Sequence, residues 1–137
     1  VPRVILALLL LAGAIADEIP AWVLPGIAMA ESRSYWDEHG ALVYVDRKVG
    51  KDHELGPFQV SPIAWRQIRK LIPGVPFSAL KNPAWCERAA RLYLLWLRTL
   101  SDSWEEAVGL YNTGPWGSPA KARHYRALVI YYGKRPI

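Results

Sequence analysis

Asn82-Pro83-Ala84-Trp85-Cys86-Glu87-Arg88-Ala89-Ala90-Arg91-Leu92-Tyr93-Leu94-Leu95-Trp96-Leu97-Arg98-Thr99-Leu100 is the stretch whose periodicity decides the fold class. Asn followed by Pro is an N-cap with proline at the first helical position. Behind it Cys86, Ala89, Ala90, Tyr93, Leu97 and Leu100 fall at helical spacing, while Glu87, Arg88, Arg91 and Arg98 take other faces. The same device recurs on both sides. Ser61-Pro62 opens a helix to about Leu71, and Ser118-Pro119 opens a last one that Gly133 can close. Ser103-Trp104-Glu105-Glu106 reads as a capping box for a helix to about Tyr111. Pro20 and Pro25 suit the first turn of a helix carried to about Ser34 by Ile27, Ala30 and their neighbours. Between that helix and Ser61, Ala41–Val45 is the one strand run, expected to form a small hairpin with the Gly50 region. The fold class is mainly α.

The chain has 137 residues, which suits one domain. With 52% hydrophobic and 21% charged residues it carries enough apolar surface for a core and does not read as disordered. The single Cys86 excludes an internal disulfide, and His39, His53 and His124 lack metal-type spacing, so no metal is expected. The net charge of +5 permits an anionic partner, but the basic residues are dispersed and no nucleic-acid docking motif is present. At the N-terminus Arg3 precedes an apolar run, Val4–Ala16, that ends Ala14-Ile15-Ala16 before Asp17-Glu18. This reads as a secretory signal peptide over residues 1–16 ahead of one domain over 17–137. The run falls short of the roughly 20 residues a membrane-spanning helix needs; the alternative is a buried first helix of the domain.

Three short elements carry candidate chemistry. In Ile27-Ala28-Met29-Ala30-Glu31-Ser32 a carboxyl ends an apolar helical run, where partial burial would favour the protonated form a general acid needs. In Glu54-Leu55-Gly56-Pro57-Phe58-Gln59 the glycine allows close backbone approach, and Gln59 brings an amide that can read hydroxyl and acetamido groups. In Ala107-Val108-Gly109-Leu110-Tyr111-Asn112 a phenol and an amide end a helix. Taken singly, each is equally a helix end or a turn.

Taken in order, Ala-Met-Ala-Glu31-Ser32, Gly56-Pro-Phe-Gln59, the Asn82-Pro83 helix and Ala107-Val-Gly-Leu-Tyr111-Asn112 resemble the soluble lytic transglycosylase domain of the goose-type lysozyme-like superfamily. The resemblance spans roughly Pro20 to Tyr132. It implies a lysozyme-like α-helical domain acting on peptidoglycan, cleaving the β-1,4 bond between N-acetylmuramic acid and N-acetylglucosamine. Carried over, Glu31 is the sole catalytic acid/base and Ser32 helps position it. Gln59 and Asn112 contact sugar, and Tyr111 orients the carboxyl or the reacting sugar. Glu54 orients the turn bearing Gln59 or bonds near Glu31. No cofactor is implied. The implied setting is an exported monomer in the periplasm or at the cell wall. The Asp52-His53-Glu54-Leu55-Gly56 stretch resembles the small exported members that accompany secretion or conjugation machines, which makes such a machine an implied partner.

Two departures stand out. Pro25-Gly26 interrupts the helix leading to Glu31, and the segment from Glu31 to Gln59 is long and holds further acids. If Asp46, Asp52 or Glu54 activated water, the same fold would be a hydrolytic lysozyme. A non-catalytic wall-binding domain is the alternative from outside the enzymes. Among the aromatics, Trp22, Trp65, Trp85, Trp96 and Trp104 read as core, whereas Trp36 and Trp116, just after motif ends, are expected to wall the cleft. Cys86 reads as core. Lys121, Arg123, His124 and Arg126 read as a solvated basic surface with weak attraction for anionic wall polymers.

Overall fold

A computed structural model describes residues 19–45 and 49–135. The expected signal segment and Asp46 lie outside the described residues. Among the described residues there are five α-helices: α1 Val23–Ser32, α2 Pro62–Ile68, α3 Pro83–Thr99, α4 Trp104–Thr113 and α5 Pro119–Gly133. Short 3-10 turns, Arg69–Leu71 and Phe77–Lys81, link α2 to α3. The fold is mainly α, as the periodicity requires. No helix among the described residues is long and apolar enough to cross a membrane.

The capping residues act as the sequence implies. Ser61 Oγ accepts from the Ala64 amide at 3.0 Å, Asn82 Oδ1 from the Ala84 amide at 2.9 Å, and Ser118 Oγ from the Lys121 amide at 3.3 Å. Each satisfies an N-terminal donor that would otherwise lack a partner. At α4, Ser103 Oγ accepts from the Glu106 amide, but the returning Glu106 carboxylate takes the Asp102 amide at 2.8 Å. The box is closed one residue further out than the usual reciprocal pair.

Helix α3 runs through the centre, burying Cys86, Ala89, Ala90, Leu94 and Leu97 completely. It shares one core with Ile27 and Ala28 of α1, Ala107 and Val108 of α4, Val129 of α5 and Phe58 from the loop before α2. Helix α5 lies against both α1 and α4 because glycine removes side chains at the crossings. A Cβ at Gly133 would meet the carbonyl of Trp22, and one at Gly109 would lie 2.8 Å from the carbonyl of Ala122. Helix α1, with Pro25 in its first turn, begins at Val23 and is short. The proline costs it nothing in hydrogen bonding, since a first-turn amide has no helical partner.

The hairpin differs from expectation in its pairing. Strand β1, Tyr35–Trp36, pairs antiparallel with β2, Leu42–Val43, while the Gly50 region folds onto Leu55 instead. Asp37 explains the choice: its carboxylate accepts from the amides of His39 and Ala41, both at 2.9 Å, turning the chain within a few residues. Such Asx turns are local, and closing so short a loop costs less chain entropy than reaching the Gly50 region.

Candidate active site

Glu31 sits in the last turn of α1. Residues 32–34 fix how that helix ends. Arg33 takes a left-handed φ of 58°, and a chain of hydroxyls locks the exit. The Val45 amide donates to Ser34 Oγ at 3.2 Å, the two serine hydroxyls meet at 2.8 Å, and Ser32 Oγ donates to the Ala28 carbonyl at 2.8 Å. Ser32 and Ser34 are buried. Ser32 therefore does not line the cleft; it joins the helix end bearing Glu31 to the chain just after β2.

Gln59 is held by a compact double turn. Val49 bridges Leu55, and Leu55 exchanges both backbone hydrogen bonds with Val60 at 3.0 Å. Inside this second bridge Gly56–Gln59 turns back, with left-handed φ of 75° at Gly56 and 48° at Gln59. Gly56 is required twice over, because a Cβ there would collide with the Leu80 carbonyl and lie 2.6 Å from Cys86 Sγ. The Cys86 thiol in turn donates to the Leu55 carbonyl at 3.3 Å, so this core cysteine also props the turn. Gln59 Nε2 donates to the Gly56 carbonyl at 2.9 Å, which orients the amide and directs its oxygen toward Gly50. There it is joined by Glu54 Oε2: the amide oxygen and the carboxylate oxygen both occupy the space a Cβ on residue 50 would take. Glu54 Oε1 accepts from the Asp52 amide at 3.1 Å.

Tyr111 closes the site from α4. Its hydroxyl donates to the Phe58 carbonyl at 2.7 Å, tying α4 to the Gly56–Gln59 turn. The ring meets Tyr93 edge-on, with centroids 5.6 Å apart, and Tyr93 stacks on Trp96. Burial pushes the Tyr93 phenol up to about 12. The phenols of Tyr111 and Tyr125 lie well above the usual tyrosine range, chiefly through burial and further through the negative charge of Glu31. The Tyr125 hydroxyl faces Glu31, which holds it in the neutral, proton-bearing form. The contact falls outside strict hydrogen-bond geometry, and no other acceptor reaches that hydroxyl.

The result is one cleft of about 550 Å³ whose lining includes Glu31, Glu54, Gln59, Tyr111 and Asn112. Lys51, Asp52, Ser61, the exposed Ile63 and the buried Tyr93 also contribute to the lining. Of the polar residues that the sequence motifs single out, Glu31, Glu54, Gln59, Tyr111 and Asn112 thus meet in one place, and Ser32 does not. Trp36 and Trp116 do not. Trp116 is 86% exposed and neither lines the cleft, because adjacency to a motif says nothing about the direction in which the next side chain leaves the backbone. Tyr93 and Tyr125 were hidden by their helical spacing, which assigns them to the buried face, where they also are. Among the described residues no group of His, Cys, Asp and Glu is disposed to hold a metal ion.

No protein-family model matches this chain, and neither a curated protein nor a solved structure matches it. The functional reading therefore rests on the cleft and on the residues that form it.

Proposed function

We propose that the protein is an exported peptidoglycan lytic transglycosylase that cuts the N-acetylmuramyl-β-1,4-N-acetylglucosamine bond and leaves a 1,6-anhydromuramic end. One observation carries the proposal: a single cleft gathers Glu31, Gln59, Tyr111 and Asn112 from separate stretches of chain. Glu31 as an acid protonates the leaving glycosidic oxygen. As the resulting carboxylate it takes the proton of the C6 hydroxyl, which attacks C1 and closes the ring. No water is consumed, and one carboxyl group performs both transfers in turn. The amides of Gln59 and Asn112 supply donors and acceptors for acetamido and hydroxyl groups.

Mass spectrometry of digested peptidoglycan tests the chemistry, since an anhydro end is one water lighter than a hydrolytic one. Glu31→Gln should lower turnover about 10²–10⁴-fold or more, with fold and glycan binding retained. Substantial turnover by a folded Glu31→Gln protein would remove Glu31 from its role.

A second reading is favoured by one specific feature, the presence of Asp52 and Glu54 in the same cleft as Glu31. A hydrolase of this kind needs a second carboxylate to activate water. Glu54 is engaged on the Asp52 amide and packed beside the Gln59 amide, which suits a group that shapes the turn. Asp52→Asn and Glu54→Gln should each leave the anhydro product dominant. Reducing ends as the main product, lost in one of these variants, would place the protein with the hydrolases.

A further inference from the structure

A second cavity, of about 340 Å³, adjoins the cleft and shares Asn112 with it. Its other walls are Ala120, Lys121, His124, Tyr125 and Leu128, all from α5. Tyr125 links the two, since it lines this cavity while its hydroxyl faces Glu31, a cleft residue. The volume falls within the roughly 300–1,000 Å³ usual for small-ligand sites. Its chemistry is two-sided. The half-buried Leu128 and the exposed Ala120 give an apolar side, whereas Lys121 and His124 stand exposed beside them. No wall residue is acidic, and α5 carries Lys121, Arg123, His124 and Arg126 without a single Asp or Glu. The positive end of the helix, at Ala120 and Lys121, adds to the same field.

We infer that this side cavity seats the carboxylate-bearing peptide substituent of the muramic sugar whose C1 lies at Glu31. The inference rests on the proposed reaction, because a glycan in the cleft is what brings a muramyl substituent past Asn112. Small aliphatic side chains of the peptide meet Ala120 and Leu128, and a carboxylate meets Lys121, with His124 beside it. A neutral polysaccharide without such a substituent makes no use of a cationic rim, so the cavity converts a general sugar cleft into one that favours peptide-bearing strands.

The test compares intact glycan strands with the same strands stripped of peptide by an amidase, the lactyl carboxylates that this hydrolysis leaves being capped as their neutral methylamides. Lys121→Ala should raise KM about fivefold to tenfold on intact strands, the size of one charge-assisted contact, and leave stripped strands unchanged. Lys121→Glu should raise it further; the side chain is exposed and an acid in the first turn suits the helix, so unfolding does not mimic the effect. Equal changes on both substrates would overturn the inference. A readout without turnover is the titration of ¹⁵N-labelled Glu31→Gln protein with muramyl dipeptide. Amide shifts at Ala120, Lys121, His124 and Leu128, abolished by Lys121→Glu, are expected; shifts confined to the cleft would overturn the inference. If the protein cuts neither strand and yet muramyl dipeptide still moves those amides, the proposed reaction falls and the peptide site stands.

Discussion

Two tyrosines near Glu31 divide the work between them. Tyr111 gives its proton to the Phe58 carbonyl, so its hydroxyl holds the turn that carries Gln59. Tyr125 keeps its proton toward Glu31 and has no other acceptor. The consequences of removing each hydroxyl differ accordingly. Tyr111→Phe leaves a buried carbonyl without its donor and should cost about 1–3 kcal/mol of stability, raising KM more than it lowers kcat. Tyr125→Phe removes a hydroxyl with no well-formed bond, so its melting temperature should not fall. Its kcat should nonetheless drop about tenfold or more, because the neutral proton donor that faces Glu31 is lost. Calorimetry paired with steady-state kinetics separates the two patterns, and a matching stability loss in both variants would contradict the assignment.

At the scale of elements, the seating of α5 couples site to scaffold. Gly133 admits the Trp22 carbonyl at the crossing with α1, and those two helices carry Tyr125 and Glu31. Gly133→Ala forces backbone apart at that crossing and should cost about 1–3 kcal/mol. Activity should fall beyond what the unfolded fraction explains, which circular dichroism and kinetics on one sample would reveal. The helices themselves were legible because Ser-Pro and Asn-Pro caps, the Ser103–Glu106 capping box and a 3.6-residue period are local signals, and α2 to α5 begin where those signals stand. The hairpin partner was not, since two-residue strands leave no periodicity and Asp37 decides the turn through its own backbone. Gly50 carries no signal at all in sequence: its reason is the meeting of Glu54 and Gln59 above it, which exists only in the folded chain. The cleft residues were readable as a set through motif order, whereas Tyr125, spaced one turn from Val129, looks like any buried helical position.

For the whole molecule, the buried phenols set an upper limit on pH. Tyr93, raised from 10.0 to about 12, and Tyr111 and Tyr125, raised well above 10.0, are protonated in the folded state where an unfolded chain would ionise them. A group raised in this way contributes stability that is complete below the unfolded value and is lost as pH rises through the folded one. Stability should therefore decline from about pH 10 upward, and the phenolate absorbance of these rings should appear together with unfolding rather than ahead of it. Phenolate signal from Tyr93, Tyr111 and Tyr125 in a still-folded protein at about pH 10 would contradict their burial.

Gln59 holds a backbone angle that glycine would adopt freely, with φ at 48°, and it does so where its amide reaches the cleft. A left-handed turn costs a side-chain-bearing residue about 1–2 kcal/mol, partly offset in any glycine replacement by the extra freedom of the unfolded chain. The Gly56 carbonyl would keep the residue 59 amide as a partner after such a replacement. Selection for heat resistance alone would thus drift toward Gln59→Gly, a protein that melts no lower than its parent and has lost its grip on glycan. Directed-evolution libraries scored only for thermal survival should enrich that change, and those scored for wall digestion should purge it.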